Sequence, residues 1–434
     1  MHIFGQHDQK TLDQLAEVER GALMAALMAD GHLGYYMPIG GVAAYDNQVS
    51  VTGVGYDIAC GNCAIRTGLR LEDFTGVSFE EHQANPHRLQ QSPIMQELAD
   101  DIARHVSFGV GRANQDDNAP VNDPLFLDPA WWTIPNTGGF RDTLREKARD
   151  QLGTVGSGNH YVDVFVDEAG DLWVGVHFGS RGFGHTIATN FIAIAAGGTW
   201  GDRVKEEGPA LLSLDSQAGQ DYFALMNLAG RYAYAGRRWV ANRVVELMGG
   251  EALEEVHNHH NFAWREDQWI YGELQEVIVV RKGATPAFPD QKGFVGGSMG
   301  DVSVILAGTR AAEGGWSMEA TQRAAMFSTV HGAGRVMSRT EAAGKRNRKT
   351  GRLIIDPVTG KAKRPGRVTA KMMQSWLDQK GVILRGGGLD ESPHAYRRLP
   401  DVLRDQVATV EILHTLHPLI VAMAPSNNFD PYKD

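Results

Sequence analysis

Glycine sets the terms for this chain. Fifty-one of its 434 residues are glycine, and many stand in short clusters beside His, Asn, Asp or Ser. Glycine removes the side chain and admits positive φ, so such clusters are tight turns that bring backbone N–H groups close to a ligand. The clusters also punctuate short alternating apolar runs, which predicts strands ending in polar corners. Gly158-Asn159-His160 opens onto a strand over Tyr161–Val166. His177 sits at the end of the strand Leu172–Phe178 and leads into Gly179-Ser180-Arg181-Gly182. Gly296-Gly297-Ser298-Met299 opens onto a strand that carries Ser303. His331 ends an apolar run and is followed by Gly332-Ala333-Gly334-Arg335. The His160 and His177 corners share one grammar, and two such units so close make coincidence less attractive.

Bulk numbers narrow the classes. Apolar residues make up 42% and charged residues 22%, ordinary for a chain that buries a core. The net charge of −10 argues against a generally basic nucleic-acid coat. Arg335 to Lys371 nevertheless holds 12 lysines and arginines against two acids, a local +10 on an acidic body. Such a segment suits an anionic polymer docking at one place, against the ordinary alternative of a solvated loop. Two cysteines, Cys60 and Cys63, are too few for a disulfide scaffold. The N-terminus lacks a signal pattern, and no apolar run approaches the ~20 residues that cross a bilayer. The expectation is a soluble, cytoplasmic protein.

Periodicity predicts helices over Thr11–Met28 with Gly31 as C-cap, Arg141–Leu152, Thr186–Ala196, Ser216–Met248 and Thr369–Leu377, with Phe74–His105 helical and peripheral. Short strands are predicted within Tyr36–Val54 and over Glu273–Val280, and a small hairpin within Arg352–Lys363.

Several residues carry chemistry. Asp57 and Cys60, three apart, offer a hard oxygen and a soft thiolate to a borderline divalent metal. Cys60-x-x-Cys63 also reads as a redox pair, ranked lower for want of a thioredoxin-like helix. His257-Asn258-His259-His260-Asn261 offers five ligand types in a row, with a solvated polar loop as the plain alternative. Arg281-Lys282-Gly283 reads as a basic turn suited to phosphate. His331 beside its glycine cradle can attack phosphorus as a neutral imidazole, and Arg335 can fork onto phosphate.

Taken together, GVGYDIACG, GSGNH, VHFGSRGFGH, HHNFA, VRKGAT, GSMG and STVHGAGRVMSR resemble, in order, the RtcB family of GTP-dependent RNA ligases, from about Gly53 to Pro418. The resemblance implies a mixed α/β (α+β) fold, with central sheets surrounded by helices and a metal centre in a cleft. It implies one catalytic domain over 1–434, monomeric; a basic insertion at about 345–368 is extra to the minimal family. It implies an RNA ligase that joins a 3′-phosphate or 2′,3′-cyclic phosphate end to a 5′-hydroxyl end, in RNA repair or tRNA splicing. It implies that GTP guanylylates His331, with two Mn²⁺ ions held by Asp57, Cys60, His160, His177 and His260. Guanylate contacts fall on Asn159, His160, Asp163, His260, Asn261, Gly296, Gly297, Ser298, Met299, Ser303, His331, Gly332, Ala333, Gly334 and Tyr396. Arg181, Lys282 and Arg335 match phosphate or RNA contacts.

Departures from the family pattern bear on the nucleotide. Met423 stands where the family has a terminal lysine that reads the guanine edge, and Asp163 replaces a glutamate. Losing a charged hydrogen bond of that kind costs about 1.5–3 kcal/mol of base discrimination. The alternative functions are therefore a ligase with altered nucleotide preference and a metal-dependent hydrolase of RNA cyclic phosphate ends.

Overall fold

The structure is a computed structural model and describes residues 1–203, 208–310, 319–347, 352–406 and 408–426. Two sheets frame it. The larger runs Lys292–Val295, Ser303–Gly308, Val410–Pro425, Tyr161–Val166, Asp171–Phe178, Gly61–Arg70 and Ala252–His259, and Ile383–Gly387 pairs alongside Val410–Pro425 as the eighth strand. That last pairing is parallel; the other ladders are antiparallel. The smaller sheet runs His2–Ile3, Met24–His32, Ile39–Tyr45, Glu273–Lys282 and Asn261–Ile270.

The larger sheet is covered on both faces, and its side chains divide by the two-residue period of a strand. Val162, Val164 and Val166 pack with Val174 and Val176 against Val240 and Val244 of the long helix Gln217–Leu247. Phe165 and Trp173 point the other way, into a cluster with Phe294, Ile305 and Leu416. That two-sided burial explains why the strands are so uniformly apolar. The helix starts at Ser216, whose hydroxyl accepts from Gly219 N–H at 3.1 Å, satisfying one of the free donors of its first turn.

The chain passes from the larger sheet to the smaller at one residue. Ala252–His259 closes one sheet, Asn261–Ile270 opens the other, and His260 lies between them. The polar-loop reading of this histidine cluster is therefore corrected: four of its residues are strand, His260 is the bend that joins them, and His259 and His260 are buried. Their polar neighbours are satisfied across the sheet, as where Asn258 Oδ1 accepts from Phe294 N–H at 2.9 Å.

The expected helix over Thr11–Met28 is also corrected. The helix spans Gln9–Glu19 and the strand Met24–His32 follows. Leu12, Leu15 and Val18 have helical spacing, but the run Ala25–Ala29 is buried on both faces between neighbours of the smaller sheet. Tertiary burial overrode the helix propensity of Ala, Leu and Met.

In the basic segment, Arg346 bridges Leu353 and Ile355 bridges Ala362, so the expected hairpin forms. Residues 348–351, with two of the cations counted above, lie outside the described residues. Among the described residues no helix is long and apolar enough to cross a membrane.

Candidate metal centre and nucleotide cavity

The seam between the sheets gathers the ligand types. Asp57 and Cys60 lie on the turn before the strand Gly61–Arg70, His160 just before Tyr161–Val166, and His177 near the end of Asp171–Phe178. Cys60 Sγ lies 3.7 Å from His160 Nε2 and 3.6 Å from His177 Nε2. Asp57 Oδ2 lies 3.0 Å from His160 Nε2. His260 stacks on His177 with ring centroids 5.1 Å apart. A Cβ on Gly179 would sit 2.2 Å from Asp57 Oδ1, so only glycine admits the carboxylate here.

The electrostatics suit a cation. Burial raises the Asp57 carboxyl, but the hydrogen bond and charge of His160 outweigh it and hold the group below its usual value. Burial, followed by neighbouring His160 and His331, pushes His177 well below the ordinary imidazole range; burial and His331 do the same to His260. Neutral imidazoles keep the lone pair that a metal needs. Burial and the Asp57 charge push the Cys60 thiol well above its usual value, the state that a bound divalent ion reverses by taking the thiolate. The donor set of carboxylate, thiol and imidazoles fits manganese, iron or zinc better than magnesium.

Residues that sequence reasoning missed orient these ligands. Asn62 Oδ1 accepts from His177 Nδ1 at 2.6 Å, which turns Nε2 toward the thiol. Its amide is itself fixed by donating to Phe294 C=O at 2.8 Å. Arg237, fully buried, donates to the carbonyls of Ala59 and Phe178, the neighbours of Cys60 and His177 in the chain, at 2.8 and 2.6 Å. The redox reading of Cys60 and Cys63 finds no disulfide: both are free, and Cys63 packs in the core with Ile65 and Val176.

His331 arrives from a separate two-stranded sheet. The strand Ser328–Val330 pairs with Ala284–Pro286, which continues from Glu273–Lys282. The ring centroid of His331 is 4.9 Å from that of His260. Its Nδ1 lies 2.6 Å from Asp30 Oδ2, and the same oxygen accepts from the N–H groups of His331 and Gly332 at 3.0 and 3.2 Å. Asp30 is fully buried on the strand Met24–His32, and no sequence motif marked it. Gly334 has φ 71°, and a Cβ there would meet Asp30 C=O at 2.3 Å; the loop closes on Asp30 only with glycine.

A cavity of about 690 Å³ joins these groups. Asn159, His160, Asp163, His260, Asn261, Gly296 through Met299, His331 through Arg335, Tyr396 and Met423 line it. The buried Tyr161 hydroxyl, Ser298 Oγ and Asp163 Oδ1 have no partner within the protein, the condition of a wall that awaits a polar ligand. Burial raises the Asp163 carboxyl well above its usual value. Beside it Met299, Val421 and Met423 form an apolar wall.

Other expected contacts stand elsewhere. Ser303 lies behind the cavity, its Oγ accepting from Gly297 N–H at 3.0 Å and so shaping the glycine turn. Arg281 is no part of a phosphate turn: it is fully buried and forks onto Glu266 at 2.7 and 3.0 Å. Lys282 is buried with Nζ 2.9 Å from Thr52 C=O, and Arg181 donates to Gly109 C=O at 3.0 Å; neither lines the cavity. Arg335 does line it, with its guanidinium held by Tyr396 OH at 2.7 Å, Asp390 C=O at 2.7 Å and Glu391 at 3.3 Å.

Residues 11–424 match the family model described as tRNA-splicing ligase RtcB. The chain is 31% identical to the tRNA-splicing ligase RtcB of Archaeoglobus fulgidus, over 96% of this chain and 91% of that protein. It is 30% identical to the RNA-splicing ligase RtcB of Escherichia coli K12, over 91% and 88%. It is also 30% identical to the RNA-splicing ligase RtcB of Mycobacterium tuberculosis, over 87% and 90%. The match from end to end, on a chain whose sheets bring a thiol, carboxylates and histidines to one cavity, shows that this chain belongs to the RtcB family.

Proposed function

We propose that this chain is an RNA ligase that uses GTP and Mn²⁺ to join RNA 3′-phosphate or 2′,3′-cyclic phosphate ends to 5′-hydroxyl ends. The observation that carries the reading is the position of His331, paired through Nδ1 to the buried Asp30 and one ring away from the candidate metal ligand His260. A proton held on Nδ1, 2.6 Å from the Asp30 carboxylate, leaves the lone pair on Nε2 to attack.

The sequence of bonds is as follows. Nε2 of His331 attacks the α-phosphorus of GTP, and pyrophosphate leaves. An oxygen of the RNA 3′-phosphate attacks the guanylylated histidine and releases the imidazole. The 5′-hydroxyl then attacks the activated 3′-phosphorus, and GMP leaves. A cyclic end is first opened by hydrolysis to the 3′-phosphate. Asp57, Cys60, His160, His177 and His260 would hold the metal, which supplies neutralisation of phosphate charge when bound. Asp30 holds the ring and offsets the positive charge it gains on attack. In the glycine turns at 296–299 and 332–334, Gly297 N–H is taken by Ser303 and Gly332 N–H by Asp30, which leaves the other N–H groups of the two turns for phosphate and sugar. Tyr161, Ser298 and Asp163 offer unpartnered polar atoms to the nucleoside.

The test is incubation with Mn²⁺ and each of the four α-labelled nucleoside triphosphates. Acid-labile label on the protein, strongest with GTP and absent from His331→Ala, is the expected result. No label with any nucleotide, beside a ligase that labels under the same conditions, overturns the proposal.

A further inference from the structure

A second recess adjoins the cavity. It has a volume of about 490 Å³ and is lined by Ser338, Thr340, Lys345, Arg364 and Arg367, with Glu341 paired to Arg367 at 2.6 Å. Ser338 lines both spaces, so the recess continues the cavity outward. It lies on the chain that leaves His331: after Arg335 comes Ser338, which caps the short helix Arg339–Ala343, and then the basic segment.

The segment is held in shape. Ile354 N–H donates to Lys345 C=O at 3.0 Å, Lys363 N–H to Ile354 C=O at 2.9 Å, and Lys345 N–H to Arg364 C=O at 3.0 Å. These bonds tie three stretches into a small β tongue. Its root is pinned where Val368 N–H donates to Ala342 C=O at 3.0 Å. A Cβ on Gly366 would sit 2.4 Å from the same carbonyl, so the two stretches of the root touch backbone to backbone. Lys345, Lys361, Lys363, Arg364 and Arg367 are all exposed on this frame. The core of the fold uses none of these cations. On an acidic chain, a fixed row of exposed cations running from the mouth of a phosphate-handling cavity matches one kind of partner.

We propose that the tongue and its recess are a docking track for the sugar–phosphate backbone of the RNA whose end reacts at His331. The proposal rests on the ligase reading for what enters the cavity, but its test does not depend on catalysis. The track makes affinity grow with RNA length beyond the few nucleotides the cavity covers. It also makes that affinity salt-dependent.

The experiment uses the full chain and the triple variant Lys345→Gln, Arg364→Gln, Arg367→Gln. All three side chains are exposed, so the fold is expected to persist, and a thermal melt checks it. Fluorescence anisotropy measures binding of a long single-stranded RNA 3′-phosphate and of a trinucleotide 3′-phosphate, without GTP, across a range of salt. For the long RNA the triple variant should bind at least about tenfold more weakly, and its log K against log salt slope should fall by roughly 2, about 0.7 for each lost phosphate contact. Trinucleotide binding and labelling of His331 should match wild type. Unchanged affinity and slope for the long RNA overturn the proposal. So does equal weakening of both RNAs, which would place the cations at the reacting end. Competition by polyglutamate as strong as by RNA overturns it too, in favour of an acidic protein partner. If wild type takes no nucleotide label yet binds long RNA through these residues, the ligase reading fails and the track stands.

Discussion

Replacing Asp30 by Asn tests the pairing on which the proposed nucleophile, His331, depends. One oxygen of Asp30 accepts from the N–H groups of His331 and Gly332 at 3.0 and 3.2 Å and lies 2.6 Å from His331 Nδ1. An asparagine oxygen can stay among them, so the loop keeps its shape, but the charge is gone. Two losses follow. A hydrogen bond to an ionised acceptor is worth about 1 kcal/mol more than a neutral one. When Nε2 bonds to phosphorus the ring becomes cationic, and a carboxylate about 4 Å from that charge stabilises it by about 4 kcal/mol at an effective dielectric of about 20. Together they come to about 5 kcal/mol, or between 10³- and 10⁴-fold in rate at about 1.4 kcal/mol per decade. The assay is the single-turnover rate of label transfer from α-labelled GTP to protein with Mn²⁺. Metal content and melting temperature are measured on the same preparations. A rate within about threefold of wild type, in a folded and metal-loaded variant, would refute the argument.

Two further outcomes follow from the same geometry. Asn62→Ala removes the acceptor of His177 Nδ1 and frees that ring to turn, so Mn²⁺ affinity, read by competition with a chelator, should fall by roughly 10- to 100-fold; equal affinity would mean Asn62 does not orient the ligand. Acid should also destabilise the metal-free protein. Burial holds His32 and His82 at about 4 and His257 at about 3, each below its unfolded value, so between pH 6.5 and about 4 the unfolded chain binds protons that the folded one refuses. Stability then drops as pH falls through that window, each histidine adding up to about 1.4 kcal/mol per pH unit, and urea melts at stepped pH should show it; a flat profile there would contradict the burial of these rings.

How much of this the sequence carried depends on the range of the interaction. Asp57 with Cys60, Asn159 with His160 and the glycines after His331 are neighbours in the chain, so their chemistry shows as spacing. The strands Tyr161–Val166 and Asp171–Phe178 were legible for the same reason, since a period of two is a local property. The positioning residues were not. Asp30 meets His331 across 301 positions, Asn62 meets His177 across 115, and Arg237 meets Ala59 across 178. No spacing rule spans such distances. Asp30 was hidden further because Met24–Ala29 reads as helix from its own propensities. Arg281 and Lys282, basic neighbours that read locally as a phosphate turn, were drawn inward by Glu266 and by Thr52 C=O. Residue types and local turns, then, were enough to name the groups that could serve such chemistry. Which carboxylate stands behind the nucleophile, and which cations face solvent, was settled only when burial and strand pairing brought distant segments into contact, because those energies exist only in the folded state.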